Sequence, residues 1–272
     1  MITSLNITLN NGVKMPGFGL GVYKVEDGDT AVHAVRTAID VGYRSIDTAS
    51  FYDNERSVGL AVRESGVPRE ELFITSKVWN DQQGYESTLK AFDESLEKLG
   101  TDYLDLYLIH WPVTGKYKET YRALETLYEE GRVRAIGVSN FHVHHLENLL
   151  ADCKVKPAVN QVEYHPHLSQ VELKAFCEKE NIQLEAWSPL KRGRLLNEPT
   201  IVEIGNKYGK SAAQVILRWD IQHHVITIPK SITAERIQEN ANIFDFTLTQ
   251  QEMTQIDNLN KNERAGSNPD DF

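Results

Sequence analysis

Apolar residues gather into eight short runs along the chain, at 17–20, 44–47, 72–77, 103–110, 134–139, 158–163, 183–187 and 225–228. These runs are rich in Val, Ile, Leu, Phe and Tyr, and mostly lack the alternating polar face of a strand with one side in water. Between them the apolar period lengthens. Residues 29–41 place Ala31, Val32, Val35, Ala38 and Ile39 at helical spacing behind Asp29, which reads as an N-cap. Residues 85–99 repeat Leu89, Phe92, Leu96 and Leu99, and similar patterns run over 117–130, 142–151, 169–180, 200–208 and 233–241. Gly42, Gly66, Gly100 and Gly131 punctuate helix ends, where a left-handed cap residue is needed. Apolar strands alternating with helices predict a parallel sheet covered on its outer face. Eight such units without a Pro/Gly/Ser-rich linker predict one domain over 1–272, a (β/α)8 TIM barrel, with a doubly wound α/β sheet as the alternative. The segment ITLNNGVKM predicts an N-terminal β-hairpin around a type I′ turn at Asn11-Gly12, placed to plug one end of the barrel. Residues 211–222 and 249–260 read as two extra helices.

Composition narrows the class further. The 272 residues carry 29 Lys+Arg against 39 Asp+Glu, a net charge of −10. That balance argues against a sequence-independent grip on nucleic acid or an anionic membrane, both of which need a basic face. Cys153 and Cys177 are too few for a disulfide framework and stand in no metal-ligand pattern. The first residues lack a basic and apolar leader, and no uncharged apolar run approaches the roughly 18–20 residues of a membrane span. The expectation is a cytoplasmic monomer with a small-molecule partner.

Barrel enzymes place their chemistry at the C-terminal ends of the strands. Here those ends carry Asp47, Lys77, His110, Ser139-Asn140, Asn160-Gln161 with Glu163, Trp187 and Lys230-Ser231, with Tyr52 in the loop after Asp47. One polar residue after an apolar strand is bland, but this succession lines a single mouth. A free tyrosine titrates near ~10 and is a poor proton donor at neutral pH. A nearby ammonium favours the phenolate, and a carboxylate holds the ammonium in place. Asp47, Tyr52 and Lys77 thus compose a tuned acid, with His110 able to hydrogen-bond a carbonyl. Tyr23, Phe51, Trp79 and Trp111 each follow a strand end and form a candidate aromatic wall for substrate.

The segments GYRSIDTASFYDNERSVG, LFITSKVWN, YLDLYLIHWP, RAIGVSNF, NQVEYHP, LEAWSPL and IPKSITAERIQEN resemble, in order and across essentially the whole chain, the signatures of the aldo-keto reductase superfamily. The likeness is greatest to bacterial glyoxal/methylglyoxal reductases and 2,5-diketo-D-gluconate reductases, the Trp in AWSPL included. The resemblance implies NADP(H) as cofactor and the catalytic tetrad Asp47, Tyr52, Lys77 and His110. Ser139, Asn140 and Gln161 match positions holding the nicotinamide carboxamide, Trp187 the residue stacking on the ring, and Ser188 and Leu190 the pyrophosphate lining. Lys230, Ser231, Thr233 and Arg236 match the adenosine 2′-phosphate pocket, and Glu239 and Asn240 match adenine-side contacts.

Other signals carry less. Gly17-x-Gly19-x-Gly21 lacks the G-x-G-x-x-G spacing of a dinucleotide loop, and Gly209-Lys210-Ser211 lacks the upstream glycine of a phosphate loop, Ile204 standing there. His142, His144 and His145 show no acidic or thiol partner and read as solvated, and no metal is expected. His165 and His167 follow a strand end. Asp105, inside an apolar strand, needs a partner that the sequence does not name. A short loop after Pro112 and a short polar tail after Leu259 predict a shallow, open site, suited to methylglyoxal-like α-oxoaldehydes and other small aldehydes. A 2,5-diketo-D-gluconate-type reductase and a cofactor-sensing regulatory subunit stay open as alternatives.

Overall fold

The computed structural model describes residues 5–272. An antiparallel hairpin, β1 (Asn6–Thr8) and β2 (Lys14–Pro16), precedes eight parallel strands that pair in chain order. These are β3 (Leu20–Gly21), β4 (Ser45–Asp47), β5 (Phe73–Val78), β6 (Leu104–Ile109), β7 (Val133–Ser139), β8 (Val159–Glu163), β9 (Gln183–Trp187) and β10 (Ile226–Thr227). A parallel bridge between Phe18 and Thr227, with Gly19 N donating to Thr227 O at 3.0 Å, joins the first strand to the last. The (β/α)8 barrel is therefore closed, and the doubly wound alternative is excluded. Every residue of β5, β6 and β8 is buried, which is why their sequences show no polar alternation. The early glycines let the first strand approach its neighbours on both sides, β4 and the segment after β10. A Cβ on Gly19 would lie 2.9 Å from Ser45 O, and one on Gly21 would lie 2.9 Å from Ile228 O.

The covering helices are α1 (Asp29–Val41), α2 (Glu55–Glu64), α3 (Tyr85–Leu99), α4 (Tyr117–Glu129), α5 (Val143–Leu150), α6 (Val171–Glu180), α7 (Pro199–Tyr208), α8 (Ala212–Gln222), α9 (Ala234–Ala241) and α10 (Gln250–Asp257). Two readings of the helices are corrected. The N-cap of α1 is Gly28, in a positive-φ conformation, and Asp29 is the first helical residue. α2 has no counterpart among the expected helices, because Gly59 interrupts its apolar pattern. That glycine is required by packing: a Cβ there would meet Leu99 O, at the end of α3, at 2.1 Å. Gly209 caps α7 in the left-handed conformation and Ser211 caps α8, so Gly209-Lys210-Ser211 is a helix-to-helix connection.

The hairpin closes the bottom of the barrel. Leu9 and Met15 are buried against Phe73, Leu106, Leu108, Ala135, Ala158, Val159 and Ile226. Asn10 and Asn11 donate from Nδ2 to Pro157 O and Arg134 O, each at 2.9 Å. The type I′ turn is corrected: Leu9 pairs with Val13 around three residues, and only Gly12 has positive φ. This is the three-residue loop with a left-handed glycine at its end, whose geometry needs just one such residue. Asp105 on β6, fully buried, is balanced by Arg69 at 2.8 Å, Arg134 at 2.7 Å and the backbone N–H of Ile74 at 2.9 Å. No helix among the described residues is long and apolar enough to cross a membrane.

Candidate active site

The opposite end of the barrel gathers the polar strand ends. Asp47 is the last residue of β4, Tyr52 closes the single helical turn that follows, Lys77 lies on β5, and His110 directly follows β6. Register brings them together, since parallel pairing sets the carboxyl ends of neighbouring strands side by side. Lys77 is fully buried, and its Nζ donates to Asp47 Oδ1 at 2.6 Å, Thr48 O at 2.9 Å and Tyr52 Oη at 3.3 Å. All three ammonium donors thus have acceptors. The His110 ring stands edge-on to Tyr52, with ring centres 5.6 Å apart, and its Nδ1 has no partner.

Burial sets the protonation states. Burial alone would pull the Lys77 ammonium down, but Asp47 and Tyr52 outweigh it and hold its pKa above the usual lysine value. Burial pushes the Tyr52 phenol up to about 12, against the opposing pull of Lys77. The lowered phenol expected from the ammonium alone is thus corrected, because desolvation is the larger effect. Tyr52 therefore keeps its proton at neutral pH. Its phenolate, once formed, has an ammonium within hydrogen-bond reach. Burial and then Lys77 drive His110 well below its ordinary value, so the imidazole is neutral.

Beside this group lie the amide-bearing residues. Gln161 on β8 donates from Nε2 to Asp47 Oδ2 at 2.7 Å and to Glu185 Oε2 at 2.9 Å. Both N–H bonds are thereby used, and no donor among the described residues reaches its Oε1. Asn140, with φ of +64°, donates to His110 O at 2.9 Å and Ser139 Oγ at 3.2 Å, and accepts from Trp187 Nε1 at 2.8 Å. Ser139 donates in turn to Gln161 O. Asn160 instead ties β8 to the Phe141 backbone through both ends of its amide. Glu185 was absent from the sequence-level candidates. The signal that could have found it is the one noted for Asp105, a charge inside an apolar strand.

Three of the four mouth aromatics touch the acid group. Tyr23 packs on Tyr52 at 5.0 Å between ring centres, Phe51 stacks on Trp79 at 3.7 Å, and Trp79 stands edge-on to His110 at 4.8 Å. Trp111 is placed differently, stacked at 4.3 Å on Phe272. The expected open site is corrected here, because the tail crosses the mouth. Glu163, fully buried and bonded to His165, accepts from Ala265 N at 2.6 Å and Gly266 N at 3.0 Å. Lys191, in the loop after Ser188 and Leu190, reaches His167 at 3.1 Å and Glu263 at 2.7 Å. Phe272 O accepts from Thr114.

The histidine trio also holds the tail, and its reading as partnerless is corrected; His144 is solvated as expected, whereas His142 is half-buried and His145 buried. Asp270 supplies the acidic partner, at 2.9 Å from His142 Nδ1, 3.2 Å from His144 Nε2 and 3.7 Å from His145 Nε2. Arg264 donates to His142 Nε2, and the His142 backbone N–H donates to His145 Nδ1. The neutral rings of His142 and His145 must then carry their protons on the nitrogens facing Asp270, which leaves those nitrogens no lone pair for a metal. The cluster is a hydrogen-bonded clamp.

Gly266 sets the back wall of Trp187. A Cβ there would lie 2.5 Å from Trp187 Cη2 and 3.2 Å from Glu163 Oε2. Gly266→Ala is expected to lose about 1–3 kcal/mol of stability through overpacking, measured by urea unfolding. Unchanged stability would mean that the tail yields without cost.

Around the last strand, Lys230, Thr233, Arg236 and Glu239 are exposed, while Ser231 and Asn240 are buried. Neither Lys230 nor Arg236 joins a carboxylate among the described residues. They flank the N-terminus of α9, which is capped by no side chain, so the partial positive charge there is available to an anion.

A model of the aldo/keto reductase family matches residues 17–261. The chain is 63% identical to a glyoxal reductase of Bacillus subtilis (strain 168), across 100% of this chain and 99% of that protein. It is 44% identical to the methylglyoxal reductase DkgA of Salmonella typhimurium, across 98% and 97%. The crystal structure of a Bombyx mori aldo-keto reductase in complex with NADP superposes with a TM-score of 0.91 at 38% identity, covering 97% of this chain and 95% of that one. The chain belongs to the aldo/keto reductase family and is an NADP-dependent oxidoreductase.

Proposed function

We propose that this reductase converts small aldehydes and α-oxoaldehydes, methylglyoxal and glyoxal among them, to alcohols with NADPH, and that Tyr52 supplies the proton. The observation that carries the reading is the buried chain Asp47–Lys77–Tyr52 beside a neutral His110. His110 offers an N–H to the carbonyl oxygen and orients it toward Tyr52. Tyr52 gives that oxygen its proton as negative charge develops there, and Lys77 steadies the phenolate left behind. The cofactor, when bound, supplies the hydride. The open Oε1 of Gln161 accepts from a carboxamide N–H, the Trp187 ring offers a flat face for stacking, and Ser139 and Asn140 complete that side. Ser188 and Leu190 line the neighbouring loop. Lys230, Ser231, Thr233 and Arg236 hold a 2′-phosphate, with Glu239 and Asn240 on the adenine side.

The substrate class follows from the walls. Tyr23, Phe51, Trp79 and Trp111 bound the mouth, and the tail narrows it through Phe272. A narrowed aromatic mouth suits a small carbonyl better than a bulky ketone. All four acid-group residues come from one chain, which supports action as a monomer.

The test is NADPH consumption followed at its absorbance over a panel of carbonyls. Methylglyoxal and glyoxal are expected among the best substrates, and turnover confined to bulky ketones or to sugar keto-acids would overturn the substrate assignment. Lys230→Gly with Arg236→Ala is expected to weaken NADPH binding by about 10²–10⁴-fold, each of the two lost charge-assisted hydrogen bonds being worth ~1.5–3 kcal/mol, with NADH binding little changed. An unchanged NADPH dissociation constant would sink the phosphate pocket.

A further inference from the structure

Glu185 lies on β9 with its side chain fully buried in the barrel, one strand from Gln161. Its Oε2 accepts one N–H of the Gln161 amide at 2.9 Å, while Asp47 Oδ2 accepts the other at 2.7 Å. Its Oε1 is buried without a partner. Two carboxyl groups therefore share one amide, and a single ammonium, Lys77, stands beside them. If both were ionised, the buried group would carry one uncompensated negative charge, which is costly where water is excluded. If one is protonated, Lys77 and its bonded partner Asp47 balance. The direct ion pair marks Asp47 as the ionised carboxylate and leaves Glu185 as the acid.

We infer that Glu185 is a positioning residue for the reduction, acting as a neutral acid that fixes Gln161 with its amide oxygen open and leaves Lys77 a single carboxylate partner. The inference rests on the function proposed above. Its first consequence is geometric. With both amide hydrogens engaged, the Gln161 oxygen is the free end, and a cofactor carboxamide meets an acceptor of fixed orientation. The second is electrostatic. Proton transfer from Tyr52 creates a phenolate beside Lys77, and a further anion on β9 would oppose it.

The titratable groups facing Glu185 are Asp47 on β4 and Lys77 on β5; β8 presents the uncharged Gln161, and β10 pairs Ile226 with it and carries no charge. Burial first and Asp47 second push the Glu185 carboxyl up to about 8. Below that value Glu185 is neutral and the phenolate forms against Lys77 alone; above it the added charge slows reduction.

The experiment compares wild type, Glu185→Gln and Glu185→Ala, with thermal unfolding recorded for each. In wild type, kcat for carbonyl reduction is expected to fall through an inflection near pH 8, and Glu185→Gln is expected to abolish that inflection. A variant that keeps the wild-type profile overturns the neutral-acid role. NADPH binding, followed by quenching of protein fluorescence, tests the orienting role without turnover. Glu185→Gln is expected to hold NADPH within about twofold of wild type, and Glu185→Ala to weaken it about 5–10-fold, as for one lost neutral hydrogen bond. Equal affinities for wild type and the alanine variant overturn the orienting role. Should no carbonyl be turned over, the proposed function fails, and the binding comparison still decides the role of Glu185; absence of any NADPH binding overturns both.

Discussion

Tyr52→Phe is expected to lower kcat for carbonyl reduction by about 10²–10⁴-fold, the usual contribution of a positioned general acid, with NADPH affinity held near the wild-type value. The substitution removes one oxygen from a half-buried ring and leaves its packing on Tyr23 and His110 in place. Lys77 retains Asp47 and Thr48 as partners, so no buried ammonium is stranded. The loss therefore measures proton donation and little else. A factor of 10³ corresponds to about 4 kcal/mol of transition-state stabilisation. Wild-type turnover in Tyr52→Phe would exclude Tyr52 as the donor. Tight NADPH binding without tetrad-dependent turnover in the native protein would instead fit a cofactor sensor. Because burial pushes Tyr52 up to about 12, the alkaline limb it controls begins only well above neutrality. Any fall in rate near pH 8 must therefore come from another group.

The barrel could be read from the chain because its strands are almost wholly buried, which makes them short, mainly apolar runs with polar residues at their carboxyl ends. Asp47, Lys77 and His110 were legible for that reason: each is the first chemical group after such a run. Elements whose signal depends on distant packing were not. α2 was hidden by Gly59, which answers to the Leu99 carbonyl of another helix. The hairpin dipeptide Asn11-Gly12 suggested one turn, but side-chain bonds from Asn10 and Asn11 to Pro157 and Arg134 favour another.

The tail shows the same limit at the site. Residues 260–272 read as short and polar, and so as solvent. Their partners include Glu163, Lys191, the histidine trio and Thr114, and the hydrogen bonds to them span 72 to 158 residues of chain. The direction of the Tyr52 shift was missed for a related reason. Charge partners can be guessed from strand order, whereas the depth of a loop tyrosine depends on Tyr23 and the neighbouring ring of His110, which gather only in the folded mouth.

Lys77→Met is expected to remove activity and to destabilise the fold, and adding Asp47→Asn should restore stability without restoring activity. Lys77 and Asp47 are a buried ion pair at 2.6 Å with almost no exposed side chain. Removing the ammonium alone strands a carboxylate whose remaining partner is the Gln161 amide, next to the Glu185 carboxyl. Breaking a buried pair in this way costs about 3–5 kcal/mol. In the double variant neither charge is present, and the asparagine amide that replaces the Asp47 carboxylate can still accept from Gln161, so most of that loss should be recovered. Catalysis follows a different rule. Lys77 is the group that opposes the upward push of burial on Tyr52, so both variants leave a phenol that gives up its proton less readily and a phenolate with no ammonium beside it. Both should fall by about 10²-fold or more in kcat. Urea unfolding and NADPH-consumption rates on the two variants separate the roles. A stable Lys77→Met protein would deny the pair its structural part, and a double variant that reduces aldehydes at the wild-type rate would deny Lys77 its part in proton donation.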